Sequence, residues 1–132
     1  MSVGLLIVTH GSIGKSILDT ALAILGTSPL PTRIMSVPMG CERDKLLVTA
    51  ADEIRQLDQG DGVLILTDMY GATPCNITCN LQEKNTSIVA GLNLPMLIRV
   101  LNYPELDLIQ MTEKAISGGQ DGVMPCQHSG EP

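Results

Sequence analysis

Residues 3–12 read VGLLIVTHGS, and this stretch decides how the rest of the chain is interpreted. Residues 3–9 form an apolar run without alternation, which is typical of a strand that is covered on both faces. The run ends at His10, and Gly11 and Ser12 follow it. We therefore expect a buried parallel strand whose carboxyl end carries a histidine.

The same alternation of apolar runs and helical spacing continues to the end of the chain. Strands alternating with helices predict an α/β fold, a doubly wound and mainly parallel sheet in the order 2-1-3-4 with helices on both faces. We expect one domain over residues 1–126, with a short C-terminal edge strand, and a flexible tail over residues 127–132. The further strands are predicted at residues 33–37, 63–67, 87–90 and 122–126, and the helices at residues 14–25, 44–57, 73 to about 81 or 84, 95–101 and 104–117.

Composition and charge exclude several classes of protein. The length of 132 residues suits a single domain. The net charge is −6, whereas a protein that binds a phosphate backbone needs the opposite sign. The aromatic residues are two tyrosines only, which argues against a surface on which nucleic-acid bases stack. We therefore expect no nucleic-acid partner.

The sequence also bears on the compartment. No apolar run reaches the ~18 residues that a membrane span requires, so we expect any contact with a membrane or a membrane protein to be peripheral at most. The first residues contain no basic region or cleavage site of a signal peptide. Without a secretory signal, the four cysteines are interpreted as reduced thiols of a cytoplasmic protein.

Two residues whose side chains can take part in catalysis follow strands that are neighbours in the predicted order. His10 ends the first strand and Asp68 ends the third, at the switch point of the sheet where ligands bind. A carboxylate that accepts Nδ1–H from an imidazole leaves Nε2 free as a nucleophile. Taken alone, His10 can be a polar strand end and Asp68 a turn or cap residue. The pattern leaves open whether the nucleophile attacks phosphorus, an acyl carbon or a metal-bound substrate.

A second candidate component is an anion site. The loop with Gly71 and Ala72 leads to Thr73, which looks like a helix N-cap followed by proline. Backbone N–H groups at a helix start favour a phosphoryl group, and the Thr73 hydroxyl is a further donor. Gly11 and Ser12 precede another helix start and can add more N–H groups. The alternative is an ordinary strand-to-helix turn.

Cofactor and metal signatures are missing from the sequence. It contains neither a P-loop motif nor a G-x-G-x-x-G motif after the first strand. Cys75 and Cys79 share a helix face at i, i+4, and we interpret them as buried small residues, since a metal site needs more ligands. We therefore predict no cofactor and no metal.

Three segments together resemble the mannose-type IIA domain of the bacterial phosphoenolpyruvate-dependent sugar phosphotransferase system. They are residues 9–11 (THG), 67–76 (TDMYGATPCN) and 91–97 (GLNLPML), in the order and spacing of that family. The resemblance implies that His10 carries a phosphoryl group, received from the phosphohistidine of the carrier HPr and passed to a histidine of a IIB component or to a regulatory acceptor.

The resemblance also implies roles for other residues. Asp68 would orient the imidazole, and Thr73 would belong to the loop around the phosphoryl group. The family commonly forms homodimers by exchanging a C-terminal edge strand, here residues 122–126. The sequence departs from the family pattern at Ala72, which replaces a second glycine, and at Cys75, where an aromatic residue is common.

Two alternatives remain at this stage. One is a phosphocarrier subunit of a dihydroxyacetone kinase, which shares the fold and an early histidine. The other is a non-transferring regulatory or sensor module that docks to partner proteins. No IIB domain follows in the sequence, which suggests either a free-standing transport subunit or a regulatory phosphocarrier.

Overall fold

A parallel sheet of four strands in the order β2-β1-β3-β4 organises the protein. The computed structural model describes residues 2–79, 81 and 85–126. All three strand pairings are parallel, which confirms the predicted order. The strands are β1 (Gly4–His10), β2 (Thr32–Val37), β3 (Val63–Thr67) and β4 (Thr86–Ala90).

Helices cover both faces of this sheet, as predicted. The first, fourth and fifth helices pack on one face, and the second and third pack on the other. No helix within the described ranges is long and apolar enough to cross a bilayer. The predicted tail at residues 127–132 lies outside the described residues. The helices are α1 (Ile13–Leu25), α2 (Arg43–Leu57), α3 (Thr73–Cys79), α4 (Leu94–Leu101) and α5 (Leu108–Asp121).

The central strands are apolar on both faces because each face meets its own helical layer. Leu5 and Ile7 of β1 point into the layer of α1, α4 and α5. Leu6 and Val8 point into the layer of α2 and α3. Adjacent side chains of a strand alternate between faces, so an unbroken apolar run fills both cores. The core contains no aromatic side chain among the described buried residues.

The predicted C-terminal edge strand is wrong for the single chain. Residues 122–126 are exposed and belong to no strand. Gly122 follows the last turn of α5, and the Val123 N–H donates to Gln120 O instead of to the sheet. Within the predicted segment, Gly122 still caps α5, and Pro125 has no N–H to donate to a strand.

The end of α5 also differs from the prediction that Gly118 and Gly119 stop it. Both glycines are buried inside the helix. A Cβ at Gly118 would lie 2.5 Å from Arg99 Cβ on α4. The two glycines therefore allow α5 to approach α4 closely. The helix begins at Leu108 and not at residue 104, because Asp107 caps it.

We expect Leu64→Ala to lower the free energy of unfolding by about 2–5 kcal/mol. Leu64 is fully buried in a central strand, so its removal leaves a cavity in the core. Urea unfolding of both proteins measures the difference. Ile24→Ala is the control, because Ile24 on α1 is largely exposed and its truncation should change the free energy by about 0.5 kcal/mol or less. An equal loss in both variants would contradict this description of the core.

Candidate functional site

The carboxylate of Asp68 receives two hydrogen bonds from His10. His10 is the last residue of β1, and Asp68 follows the last residue of the neighbouring strand β3. Asp68 Oδ2 accepts from the His10 backbone N–H at 3.0 Å. The same oxygen lies 2.8 Å from His10 Nδ1. The two residues are 58 positions apart in sequence and meet because parallel strands end at the same edge of the sheet.

This contact makes the two ring nitrogens of His10 chemically different. An ionised carboxylate only accepts hydrogen bonds, so Nδ1 carries the proton in the pair. Nε2 is the nitrogen that Asp68 does not engage. The His10 side chain is 39% exposed, whereas that of Asp68 is 10% exposed. Asp68, the less exposed of the two residues, therefore holds the Nδ1 edge of a ring that remains partly exposed to solvent.

The pKa of the Asp68 carboxyl lies below its ordinary value. Burial raises this pKa. The hydrogen bonds from the His10 ring and backbone N–H, together with the charge of the ring, lower it by a larger amount. Asp68 is therefore ionised at neutral pH. Its second oxygen, Oδ1, is buried and has no hydrogen-bond partner among the described residues. With few other donors to share its charge, the carboxylate acts chiefly on His10.

His10 lines a cleft of about 200 Å³ at the carboxyl edge of the sheet. The loop after β2 forms most of the opposite wall, and the first turns of α2 and α3 close it. Proline and glycine in this loop indicate a break after the strand, and they give no signal that the loop lies beside His10. The other lining residues are Val37, Pro38, Met39, Gly40, Cys41, Leu46 and Thr73.

Of the predicted phosphoryl-binding residues, Thr73 is the one that lines this cleft. It is exposed at the start of α3. Gly71 and Ala72 precede it and do not line the cleft. Gly71 has a φ of +80°, and its carbonyl accepts from Asn76 Nδ2 at 3.0 Å, which holds the loop in place. Because α3 has only seven residues, the hydroxyl and the loop matter more here than a helix dipole.

Gly11 and Ser12 belong to the same turn as His10. Gly11 has a φ of +45°, and its N–H donates to Val37 O at 3.2 Å. Ser12 is exposed and occupies the N-cap position of α1, but its side chain makes no capping hydrogen bond. The Ser12 hydroxyl is therefore not committed to the helix.

A metal-binding cluster of three or more His, Cys, Asp or Glu side chains is not found in the described parts of the chain. Cys75 and Cys79 lie on one face of α3 with their Sγ atoms 3.8 Å apart. Cys75 is buried, but Cys79 is exposed, unlike the prediction. Burial raises the pKa of the Cys79 thiol, and the contact with Cys75 raises it further. Protonated thiols are poor metal ligands.

The arrangement as a whole suits nucleophilic chemistry at an exposed edge. An imidazole with a fixed Nδ1–H can attack through Nε2, and the carboxylate behind it stabilises the positive charge that develops on the ring. Thr73 lines the same cleft as His10. The cleft is small and the His10 side chain is partly exposed, so the site fits a group presented from outside better than a whole enclosed substrate.

Comparisons with known proteins identify the family. The sequence matches the family described as "PTS system fructose IIA component" over residues 4–115. It is 30% identical over 129 residues to the PTS system mannose-specific EIIAB component of Escherichia coli (strain K12), a match that covers 93% of this chain and 39% of that protein. It is 27% identical over 113 residues to the transcriptional regulatory protein LevR of Bacillus subtilis (strain 168), covering 80% of this chain and 12% of that protein.

The chain therefore spans well under half the length of either relative. Among solved structures, the mannose/sorbose specific IIA subunit of the phosphotransferase system from Enterococcus faecalis superposes with a TM-score of 0.84 at 24% identity, covering 97% of both chains. This likeness shows that the fold is shared. Together with the match over most of the sequence, it establishes that the chain belongs to the EIIA-man family, the fructose and mannose IIA components of the sugar phosphotransferase system.

Proposed function

We propose that this chain is a phosphoryl carrier that accepts phosphate on His10 Nε2 from the phosphohistidine of HPr. It then passes the group to a histidine of a IIB-type component or to a regulatory acceptor. The observation that carries the proposal is the 2.8 Å contact between His10 Nδ1 and Asp68 Oδ2. That contact leaves Nε2, on a partly exposed ring, as the nitrogen that can attack phosphorus.

The transfer step balances without a cofactor. The lone pair of Nε2 forms a bond to the phosphorus of the donor phosphohistidine, and the P–N bond of the donor breaks. The donor ring keeps that electron pair and takes up a proton from water, so that it leaves as a neutral imidazole. His10 Nδ1 keeps its proton, hydrogen-bonded to Asp68, while the ring becomes positive. Both rings form similar P–N bonds, so positioning and charge stabilisation supply the catalysis.

Side chains around His10 can hold the phosphoryl oxygens. Thr73 lines the same cleft as His10, and the Ser12 hydroxyl is not used as a helix cap. We assign these two hydroxyls, with the turns around Gly11, Gly71 and Ala72, to phosphoryl binding. Hydrogen bonds to a charged phosphoryl group are stronger than those between neutral groups, so a few such donors suffice.

Exposed apolar side chains surround the site and suit brief docking of a carrier. Ile13, Met39, Met69 and Tyr70, which we call the apolar rim, all lie in or beside the loops after β1, β2 and β3. Met39 is 94% exposed and also lines the His10 cleft. A histidine-to-histidine transfer brings the partner onto this surface. A small apolar contact allows fast dissociation between donor and acceptor.

The names of the relatives support two kinds of acceptor. One is an EIIAB component, which supports transfer to a IIB-type histidine. The other is a transcriptional regulatory protein, which supports a regulatory acceptor. The same regulatory relative favours a second candidate function, a sensor module that docks to partners without passing the phosphate on.

A homodimer fits the exposed edge of β4. A groove of about 310 Å³ runs beside this strand, and Val89, Met96, Ile116 and Val123 are among its lining residues. Ile116 and Val123 are exposed in the single chain. A second copy would cover these side chains and the strand edge. Sedimentation equilibrium that gave only monomer at micromolar concentration would reject this assignment.

The four free cysteines fit a reducing compartment, and we place the carrier in the cytoplasm.

We expect the wild-type chain, incubated with enzyme I, HPr and ³²P-labelled phosphoenolpyruvate, to gain a label that is labile in acid and stable in base. His10→Ala should gain none, because no other group takes over its position. Phosphate release at low and high pH after gel separation measures both properties.

The second histidine provides the matched control. His128→Ala removes the other imidazole of the chain and should keep the full label. A label on His10→Ala would overturn the assignment of the site. An unlabelled wild-type chain that still binds HPr or a regulator would reject transfer and favour the sensor module.

Asp68→Asn should slow labelling by about 10²-fold, because the amide no longer fixes the Nδ1–H tautomer or stabilises a positive ring. Quenched-flow labelling from phospho-HPr measures the rate. The fold should persist, so circular dichroism should match the wild type. Equal rates would show that Asp68 does not orient His10.

The same variant should change how stability depends on pH. The folded-state pKa of Asp68 is lowered, so its ionised form stabilises the fold at pH values above the unfolded pKa of about 3.9. This contribution is lost as pH falls through the lower folded pKa. Urea midpoints should therefore differ between wild type and Asp68→Asn near pH 5 and converge towards pH 2. A difference that stays constant over this range would contradict the lowered pKa.

Met39→Glu should slow phosphorylation by phospho-HPr by about tenfold, since it places a charge within the docking surface. Phosphorylation by a small phosphoramidate donor should slow much less, because no protein docks and only the charge near the cleft acts on this donor. Val48→Glu, at another exposed apolar residue on α2, is the control and should leave both rates unaltered. Equal slowing with both donors would mean that Met39 acts on His10 itself and not through docking.

A further inference from the structure

Thr9, the residue before His10, is fully buried and uses its hydroxyl twice. Thr9 Oγ1 accepts from the Gly14 backbone N–H at 2.8 Å. The same hydroxyl donates to the His10 carbonyl oxygen at 3.2 Å. One side chain therefore links the end of β1 to the start of α1, across the turn that carries the imidazole.

The bond to Gly14 replaces the usual cap of α1. Gly14 is the second residue of the helix, and its N–H is one of those that a helix leaves without an internal partner. An N-cap serine in extended conformation would accept this kind of bond. Ser12 has φ −95° and ψ 9° and makes no such bond. Thr9, three residues further back, caps the helix in its place.

The close approach depends on the absence of a side chain at Gly14. A Cβ there would lie 2.8 Å from Ile7 Cγ2 and 3.0 Å from Thr9 Oγ1. Contacts under 3.0 Å force a neighbour to move, and Ile7 is part of the buried core. Gly14 thus lets α1 start directly against β1, where the hydroxyl can reach its N–H.

We propose that Thr9 is a positioning residue for His10, whose hydroxyl caps α1 and holds closed the turn that presents the imidazole. The inference rests on the proposed phosphoryl transfer and adds a residue to it. The clamp holds the carbonyl group of His10, and Asp68 holds the N–H of the same residue. It also frees the Ser12 hydroxyl, which would otherwise cap the helix, to face a phosphoryl oxygen.

Thr67 provides an internal comparison. Thr67 is the last residue of β3 and stands directly before Asp68, as Thr9 stands directly before His10. It is also fully buried. Its hydroxyl has no hydrogen-bond partner within the described part of the chain. A buried threonine at the end of a central strand therefore does not by itself make a clamp. The two residues differ in what their hydroxyl contacts.

The test uses Thr9→Val, which keeps the shape of the side chain and removes the hydroxyl. Exchange of the Gly14 amide hydrogen should become about tenfold faster, as expected for a lost helix cap. Labelling from phospho-HPr should slow by about tenfold, because the imidazole is less well placed. The ¹⁵N shifts of His10 should move away from the pure Nδ1–H tautomer, a change that a loss of stability alone would not produce.

Thr9→Ser and Thr67→Val are the matched controls. Thr9→Ser retains the hydroxyl and should keep the exchange rate, labelling rate and ¹⁵N shifts close to those of the wild type. Thr67→Val removes a buried hydroxyl that has no described partner, so all three readouts should stay at wild-type values. If Thr9→Val labels as fast as the wild type with unchanged ¹⁵N shifts, the positioning role is rejected.

Melting temperatures provide a second, independent arm. Thr9→Val should lower the melting temperature by about 4 °C through loss of the cap. Ser12→Ala should leave it unchanged, although serine in an N-cap position normally stabilises a helix. A fall with Ser12→Ala and none with Thr9→Val would overturn the assignment of the cap. The melting temperatures and the exchange rate of the Gly14 amide do not depend on phosphorylation, so they test the cap by themselves. A wild-type chain that takes no label rejects the proposed function and leaves the result for the cap unchanged.

Discussion

The site depends on one carboxylate oxygen that holds a histidine by both its backbone and its ring. Asp68 Oδ2 accepts from the N–H of the His10 main chain and from Nδ1 of its imidazole. A single acceptor thereby fixes the end of one strand and the orientation of the ring that follows it. The arrangement requires β1 and β3 to be parallel neighbours, because only then do their carboxyl ends bring these two residues together.

The rest of the fold keeps this contact rigid while leaving its surroundings accessible. The central strands carry aliphatic side chains on both faces, and each face has its own helical layer. A close-packed interior resists displacement of the strand ends. The loops beyond those ends contain the exposed apolar side chains and the cleft beside His10. Rigid strands thus support a partly exposed histidine, as the proposed phosphoryl transfer requires.

Much of the architecture follows from local pattern, and the deviations arise where a distant contact decides. The apolar runs predicted the four strands, and the usual arrangement of doubly wound sheets predicted their order. Gly118 and Gly119 look like a helix stop, yet they lie within α5 because α4 packs against them. Residues 122–126 were predicted as a strand, but within one chain they form none. The loop after β2 carried no chemical signal, and its place beside His10 comes from the pairing of β2 with β1.

The sequence by itself determined the fold class, the polar residues at the strand ends and the family resemblance, because these depend on residue type, spacing and period. Only the tertiary structure decided that one oxygen of Asp68 holds both the backbone N–H and the ring Nδ1 of His10, and that Thr9, rather than Ser12, caps α1. It also decided that Thr73, and not Gly71 or Ala72, lines the cleft. The physical reason is that a hydrogen bond is made or lost by a change of a few tenths of an ångström in the distance between donor and acceptor. The packing of the whole fold sets these distances.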